Sequence, residues 1–506
     1  MITVDAPDQD VISFGTAKLV LSGLGLTPRV ADLAVARSLR LLYPLDAKLT
    51  AFVREGATSL TDAASADEQI RFFQRRRVER NYIRLAEWAT ARGPVSVRIG
   101  NAAAIDGPSR ELLRIAAAVA GWTVEYSEAR LVRSAPAVDP ETGELLDALE
   151  RLPSADDADR VWRAAFDFVN AGDAWTAVGL GRRLAAAESS ARVWNLLAIG
   201  HAMLDQTETA EYYYDRWADS DDPLDGIRAL YGKAMLYARH HPDGLRDLET
   251  SGELLNEAFA LFDRLPEAER SSDSVVFDEV FNRNGYALIL FRRGEVEEAL
   301  RSLQTGIERL SGTSEKIAIH RSVLMYNLAQ CLQRLGRFEE AIAAYERLIA
   351  VDPHMAEYRL EAAKCLAAGG RREDAVARCR EAIEIDSSLP VAWSLLGFSL
   401  GQVQQWSSAA EAYERAARLD HASDKARLDA AHHWILAGRT EAAERALETA
   451  VIARMSAKEF ERHAILRAET MLRNGRRQEA VGSLLAALER YPRSEALRSN
   501  HDALVR

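Results

Sequence analysis

The sequence predicts a mainly α-helical protein: a long C-terminal solenoid of stacked helix pairs, preceded by a small α/β N-terminal domain. Three observations carry this. Gly336, Gly370 and Gly438 lie 34 and then 68 residues apart, and each is followed five residues later by an alanine, Ala341, Ala375 and Ala443. Apolar residues recur at three- and four-residue spacings on both sides of the glycine, as amphipathic helices require. Near Pro94 the pattern changes to short β-branched runs, VSVRIGN and WTVEYSE, on either side of a helical segment.

Residues 1–135 lack the period and are expected to form the N-terminal domain. The stretch from Val11 to Phe52 reads as helices separated by Gly and Pro, and RFFQRRRVERNYIRLAEWATAR as a long Arg-rich helix. Its basic run, Arg75, Arg76 and Arg77 with Arg80 and Arg84, is accompanied by Glu79 and Glu87, the composition of a solvated helix face. A turn through Asp106-Gly107-Pro108 then opens the helix SRELLRIAAAVAG between the two strand runs. That order is expected to give a parallel strand pair with a crossover helix. Residues 136–157 read as a linker.

From 158 to 492 about nine units follow, starting near Ala158, Ala191, Asp225, Val280, Ser322, Ala356, Pro390, Asp424 and Glu461, with a capping helix at 493–506. The register extends to Ala480 after Gly475, Ala299 after Gly294 and Ala177 after Gly172; Ala210 follows Asp205 where glycine would stand, and Ala409 also keeps the spacing. In RSVLMYNLAQCLQRLGRFEEAIAAYERLIAVDP, Gly336 is expected to end the first helix in the left-handed conformation that costs glycine little. Ala329 and Ala341 let two helices approach closely, Leu332 and Tyr345 fill the adjoining space, and Asp352-Pro353 stops the second helix. Two irregularities interrupt the series. The distance from Ala210 to Ala299 is 89 residues, implying a long second helix and an insertion containing LPEAERSSDS, and SGTSEKIAIH extends the junction before Ser322. Such insertions either shape a groove or are tolerated surface loops.

The repeating unit resembles the tetratricopeptide repeat. In the unit from Pro390, Trp393, Leu396, Gly397, Ala409, Tyr413 and Ala416 stand at its signature positions, as do Trp194, Leu197, Ala198, Ala210 and Tyr214 in the unit from Ala191. Leu400 and His201 depart from it where a second aromatic is usual. The resemblance implies a right-handed superhelix of helix pairs whose first helices line a concave groove, the usual peptide site of that family. A second resemblance is confined to VSVRIGNAAAIDGPSRELLRIAA, which is similar to the acidic-strand segment of signal-transducing ATPases. Gly100 and Asn101 replace the paired acids, and no phosphate-binding glycine loop with its lysine precedes it, so hydrolysis of a nucleotide is not expected. The same segment also reads as a generic α/β element.

Composition excludes several functions. The formal net charge is -12 with both signs interspersed, which leaves no broad basic face for nucleic acid. Three cysteines, Cys331, Cys365 and Cys379, do not make a disulfide framework, and a free buried cysteine behaves as a small hydrophobe. The opening MITVDAPDQD has no secretory pattern and no run of about eighteen apolar residues occurs, so a cytoplasmic protein without membrane contact is expected. His240-His241 and His432-His433 are adjacent pairs whose rings diverge on a helix, so no metal is expected. No cofactor and no catalytic residue are expected either, since nucleophile, dinucleotide and metalloprotease motifs are missing.

Counting inward-facing positions of the first helices gives the candidate binding residues: Asn195, Phe281, Asn284, Phe291, Tyr326, Asn327, Gln330 and Lys364. Asparagine and glutamine can donate to and accept from a peptide backbone, and an aromatic neighbour can cover an apolar side chain. Asn284, Phe291, Tyr326, Asn327 and Gln330 span two successive units and form the best such cluster. The alternative is that they only solvate the groove or bond neighbouring helices. The expected function is a protein- or peptide-binding adaptor, with self-association left open. Two alternatives stand beside it: a regulatory peptide sensor, and an accessory subunit or enzyme that acts on a captured peptide.

Overall fold

The computed structural model describes residues 1–8, 11–56, 74–132, 139–310, 315–420 and 424–505. The chain forms two units, Met1–Pro353 and His354–Arg506. The first unit opens with three parallel strands in the order β1 (Ile2–Asp5), β2 (Ser96–Gly100), β3 (Thr123–Tyr126), with Val4 opposite Ile99 and Val97 opposite Val124. The β2–β3 pair is connected by the crossover helix Gly107–Ala120, as its order in the sequence requires. Asp106 caps that helix by accepting from Ser109 N at 2.8 Å, Pro108 occupies its first turn, and Gly121, at φ 69°, ends it. The strand β1 was not expected: four residues, the last of them an acid, carry too little pattern to read as a strand. Arg75, Arg76 and Arg77 fall in the helix Gln74–Thr90, and their side chains lie outside the described residues.

Five helix pairs follow in the first unit: Ala155–Ala171 with Ala174–Ala187, Ala191–Met203 with Thr207–Ala218, Pro223–Met235 with Leu248–Arg264, Asp273–Arg293 with Val296–Arg309, and Glu315–Arg334 with Phe338–Val351. The second unit contains four: Ala356–Ala368 with Arg372–Ile385, Pro390–Gln402 with Trp406–Leu419, Lys425–Leu436 with Thr440–Glu448, and Ala457–Arg473 with Arg477–Arg490. The helix Glu495–Val505 then lays Leu497 onto the last of these pairs. Residues 311–314 of the SGTSEKIAIH extension lie outside the described residues; its remainder lengthens the helix Glu315–Arg334.

A single turn closes almost every pair. Gly172, Gly294, Gly336, Gly370, Gly438 and Gly475 have φ between 73° and 98°, and Asp205 and Gln404 take the same left-handed conformation, at 59° and 60°, where the glycine is missing. In each case the N–H of the following residue reaches back to the carbonyl five residues earlier. Arg337 donates to Leu332 at 2.9 Å, Gln405 to Leu400 at 2.9 Å and Arg439 to Trp434 at 2.9 Å. That closure satisfies carbonyls which would otherwise be orphaned at the helix end. The register alanines Ala177, Ala210, Ala299, Ala341, Ala375, Ala409, Ala443 and Ala480 are all fully buried where the paired helices meet.

The third pair breaks the rule. Its first helix, Pro223–Met235, runs into a π-helical turn over Leu236–His240, in which His241 N donates to Leu236 O at 2.9 Å. The loop from His241-Pro242 to Asp247 leads to a 17-residue second helix, and a single turn at Glu267–Arg270 precedes the 21-residue helix Asp273–Arg293.

The N-terminal segment is fastened to the first pair. Ile12 is buried in one core with Leu145 and Ala148 of the helix Pro140–Glu150 and with Val161 and Phe168. Phe14 meets Trp175 edge-on at 6.0 Å. Asp106 also accepts from Phe14 N at 3.0 Å, and Ser13 N donates to Thr176 Oγ1 at 2.8 Å. Thr176 donates in turn to Asp173, from its N at 3.0 Å and its Oγ1 at 2.6 Å. Burial raises the Asp173 carboxyl to about 6 against the bonds to Thr176 and the charge of Lys18. Lys18, 3.7 Å from Asp139, is itself held below the usual lysine range by burial.

Two predictions follow from these turns and this buried acid. Because the left-handed backbone costs a side chain about 1 kcal/mol, Gln404→Gly should raise the denaturation midpoint of the purified chain and Gly438→Ala should lower it; shifts of the same sign would contradict the turn assignment. For Asp173 the folded pKa lies above the unfolded value of about 4. Its contribution is therefore complete below about pH 4 and lost as pH rises through 6. Urea unfolding at pH 5 and pH 7 should show the chain losing stability over that interval, and Asp173→Asn should flatten the loss.

Candidate functional site

Two helices from successive pairs, Asp273–Arg293 and Glu315–Arg334, bring most of the expected residues to one place. Asn284 projects from the first, and Tyr326, Asn327 and Gln330 from the second, into a cavity of about 430 Å³. Phe291, Leu288, Val323 and Cys331 contribute apolar wall, and Tyr231, Met235 and Arg239 close it from the preceding pair. Asn327 Nδ2 donates to Asn284 Oδ1 at 2.7 Å, which ties the two units, and Gln330 Nε2 donates to the Tyr326 hydroxyl at 3.2 Å. Tyr326 stands edge-on to the fully buried Tyr345 at 6.0 Å. Asn284 is 7% exposed, whereas its partners are half-buried, so the polar face presented to the cavity is chiefly Tyr326, Asn327 and Gln330.

Phe281 is a support for this wall. Its ring packs 4.3 Å from Tyr231 and 5.0 Å from His320. Asn195 lies elsewhere in the first unit, on the helix Ala191–Met203, where Trp194 and His201 both stack on Tyr213 at 5.9 and 5.5 Å. Its Oδ1 is buried without a hydrogen-bond partner. Lys364 belongs to the second unit and is paired with Glu361 at 2.6 Å, so its charge is matched within its own helix.

Inward-position counting missed Tyr231, Arg239 and Arg292. Arg239 follows the first helix of the irregular pair, where the register cannot be counted, and the π-helical turn carries it to the cavity. Arg292 lies in the last turn of its helix and donates to the carbonyl of Ala238 in that same turn. The one available signal was the sequence Arg239-His240-His241-Pro242, where a proline ends a helix with an arginine in its last turn.

At the end of β2, where the ATPase-like segment would carry acids, a Cβ on Gly100 would lie 2.0 Å from Asp5 Oδ1 and 2.8 Å from the Ala129 carbonyl. Asp5 accepts there from Leu131 N at 2.7 Å and Val132 N at 2.9 Å, and Asn101 Nδ2 donates to Ala6 O and Asp8 Oδ1, each at 2.9 Å. The strand end is filled by the chain's own groups and has no room for an acidic side chain at position 100.

A stack of helix pairs closed by left-handed turns defines a helical-repeat scaffold. Family models of the tetratricopeptide repeat match residues 280–354 and 326–390. The chain is a tetratricopeptide-repeat protein, an α-solenoid of a class built for protein interaction. Among solved structures, MamA is 23% identical and aligns over 33% of this chain and 90% of its own, with a TM-score of 0.31. PilF from Pseudomonas aeruginosa is 21% identical over 44% of this chain and 97% of its own, at 0.34, and the type IV pilus biogenesis factor PilW is 16% identical over the same shares, at 0.34. No curated protein matches the chain.

The three thiols are buried, and burial pushes each up to about 12. At pH 8 the folded chain should therefore react with a thiol reagent far more slowly than free cysteine, and denaturant should release all three thiols together with the loss of helical signal. Fast labelling of the native chain would show that the cores around Cys331, Cys365 and Cys379 open readily.

Proposed function

We propose that this chain is a cytoplasmic adaptor that holds a peptide or an extended protein segment against the cavity between the Asp273–Arg293 and Glu315–Arg334 helices. The observation that carries this reading is the composition of that wall. Amides that both donate and accept, Asn327 and Gln330, stand beside the exposed parts of Tyr326 and Phe291 in a concavity of about 430 Å³. A peptide backbone offers a donor and an acceptor at every residue, and apolar side chains between them would be covered by the aromatic and aliphatic wall. Asn195, Phe281 and Lys364 stay outside the cavity and serve in this reading as supports or as contacts for a longer segment. Three buried free cysteines fit a reducing compartment. In the same reading residues 1–135 act as a domain that covers the first pair, and 158–492 as the repeat array.

The test uses tagged full-length chain to capture a partner from its own cells. Replacing Asn284 and Tyr326 together with alanine should abolish recovery of a partner that the unaltered chain retains, with the circular dichroism spectrum unchanged. Undiminished capture by that double variant would move the binding surface elsewhere.

A further inference from the structure

The seam that seats residues 11–18 on the first helix pair holds more acid than its lysine can answer. Lys18, whose side chain is 15% exposed and lies under the Tyr43 ring at 5.0 Å, stands 3.7 Å from Asp139 and is drawn at the same time by Asp173 and Asp106. One ammonium thus serves three carboxylates. Asp139 and Asp106 are half-buried, and each caps a helix, accepting at 2.8 Å from Thr142 N and Ser109 N. Asp173 is 1% exposed; its two oxygens accept from Thr176, and the charge of Asp106 works against its own. Tyr82, which feels both of these acids as well as Glu79 and Glu111, gives no relief, because its hydroxyl is buried with no hydrogen-bond partner. A further negative charge is costly in such a seam, so a proton is held on the most enclosed of the three acids. Burial accordingly raises the Asp173 carboxyl to about 6.

The backbone bonds that dock the segment run through the same groups. Ser13 N donates to the Thr176 hydroxyl, which itself donates to Asp173; Phe14 N and Thr16 N donate to Asp106 at 3.0 and 3.5 Å, and Ala17 N donates to Ser109 Oγ at 3.0 Å. We propose that this seam is a proton-operated latch: with Asp173 neutral, residues 11–18 are fastened to the first pair, and with Asp173 charged they detach more readily and uncover the face beneath them. The sign follows from linkage. A carboxyl in the detached, wetted seam returns to about 4, so the closed seam holds a proton that the open one gives up. The latch is therefore tight in acid and loosens as pH rises through 6. Lys18 favours the charged form and so sets where on the pH scale the change falls. The exposure of the first pair, and with it the seating of the N-terminal sheet, is thereby coupled to the acidity of the surroundings.

Hydrogen exchange of the full-length chain, read by mass spectrometry in a pH series from 5 to 7.5, tests the latch. Each rate is divided by that of a free peptide of the same sequence at the same pH, which removes the intrinsic pH dependence of exchange. Residues 13–18 should lose about tenfold protection over the series, the change that carboxyl values of about 4 and 6 in the open and closed seam require, while the helices of the second unit keep theirs. Asp173→Asn should hold the segment protected throughout. Lys18→Met removes the charge that favours the carboxylate, so the loss should move to higher pH, an effect that altered packing alone would not produce. Constant protection of residues 13–18 in the unaltered chain, a loss shared equally by the whole first unit, a loss undiminished in Asp173→Asn, or a midpoint unmoved in Lys18→Met would each overturn the latch. Should Asp173→Asn fail to fold, the direction of the shift in Lys18→Met decides.

Discussion

The left-handed turn between paired helices is the constraint on which the rest of this structure depends. One residue with positive φ, followed by an N–H that reaches back five residues, reverses the chain in so few positions that the second helix has to lie directly on the first. The close approach then requires a small side chain at a fixed distance beyond the turn, and alanine occupies that place in eight pairs. The turn and the alanine are thus one requirement seen at two positions. This is why the backbone conformation persists even at Asp205 and Gln404, where the residue type does not favour it. A repeat with its own preferred turn could still not change the spacing of the pair without losing the core that its neighbours share.

Where that turn is missing, the array becomes irregular and acquires its cavity. The third pair ends its first helix with a π-helical turn and a proline, so the backbone widens by one residue per turn before it breaks. Arg239 consequently leaves the helical phase that would have kept it on a countable face. The helix Asp273–Arg293 is 21 residues long against 13 for Ala191–Met203. Regular repeats bury their faces against one another and leave a shallow surface. The widened turn, which brings Arg239 in beside Tyr231 and Met235, gives this surface one of its walls.

The legibility of the sequence follows the same division. The helix pairs could be read because glycine and alanine are selected by backbone geometry and by contact distance, two properties that leave a trace in residue type. Asn284, Phe291, Tyr326, Asn327 and Gln330 could be placed near one another because helical phase counted from a fixed turn gives direction. Arg239 could not, because its turn offers no such origin. Nor could the bond from Asn327 to Asn284 be foreseen, since it depends on the offset between two helices of different units. Phe281 obeyed the phase and still ended behind the wall, because a large ring beside Tyr231 is drawn into apolar contact. The strand β1 escaped for a simpler reason: a parallel edge strand of four residues is held by backbone bonds to β2, which no side chain announces.

Every helix pair presents two faces to neighbours, so the outer face of the first pair has to be covered by something that is not a repeat. In the second unit a single helix covers the last pair with Leu497. At the start the cover is the segment of residues 11–18 and the helix Pro140–Glu150, and its contacts are mixed. Ile12 and Phe14 supply apolar area, but Asp173 and Thr176 are buried in the same seam, with the half-buried Asp106 and Lys18 beside them. An apolar seam would be as stable and would accept many registers; a buried carboxylate accepts only the arrangement that brings its donors. Asp106 bonds both to its own helix and to Phe14, and the Thr176 that donates to Asp173 accepts from Ser13. Each acid therefore joins a helix cap to the docking segment, so that the N-terminal sheet can be seated on the array in one way only.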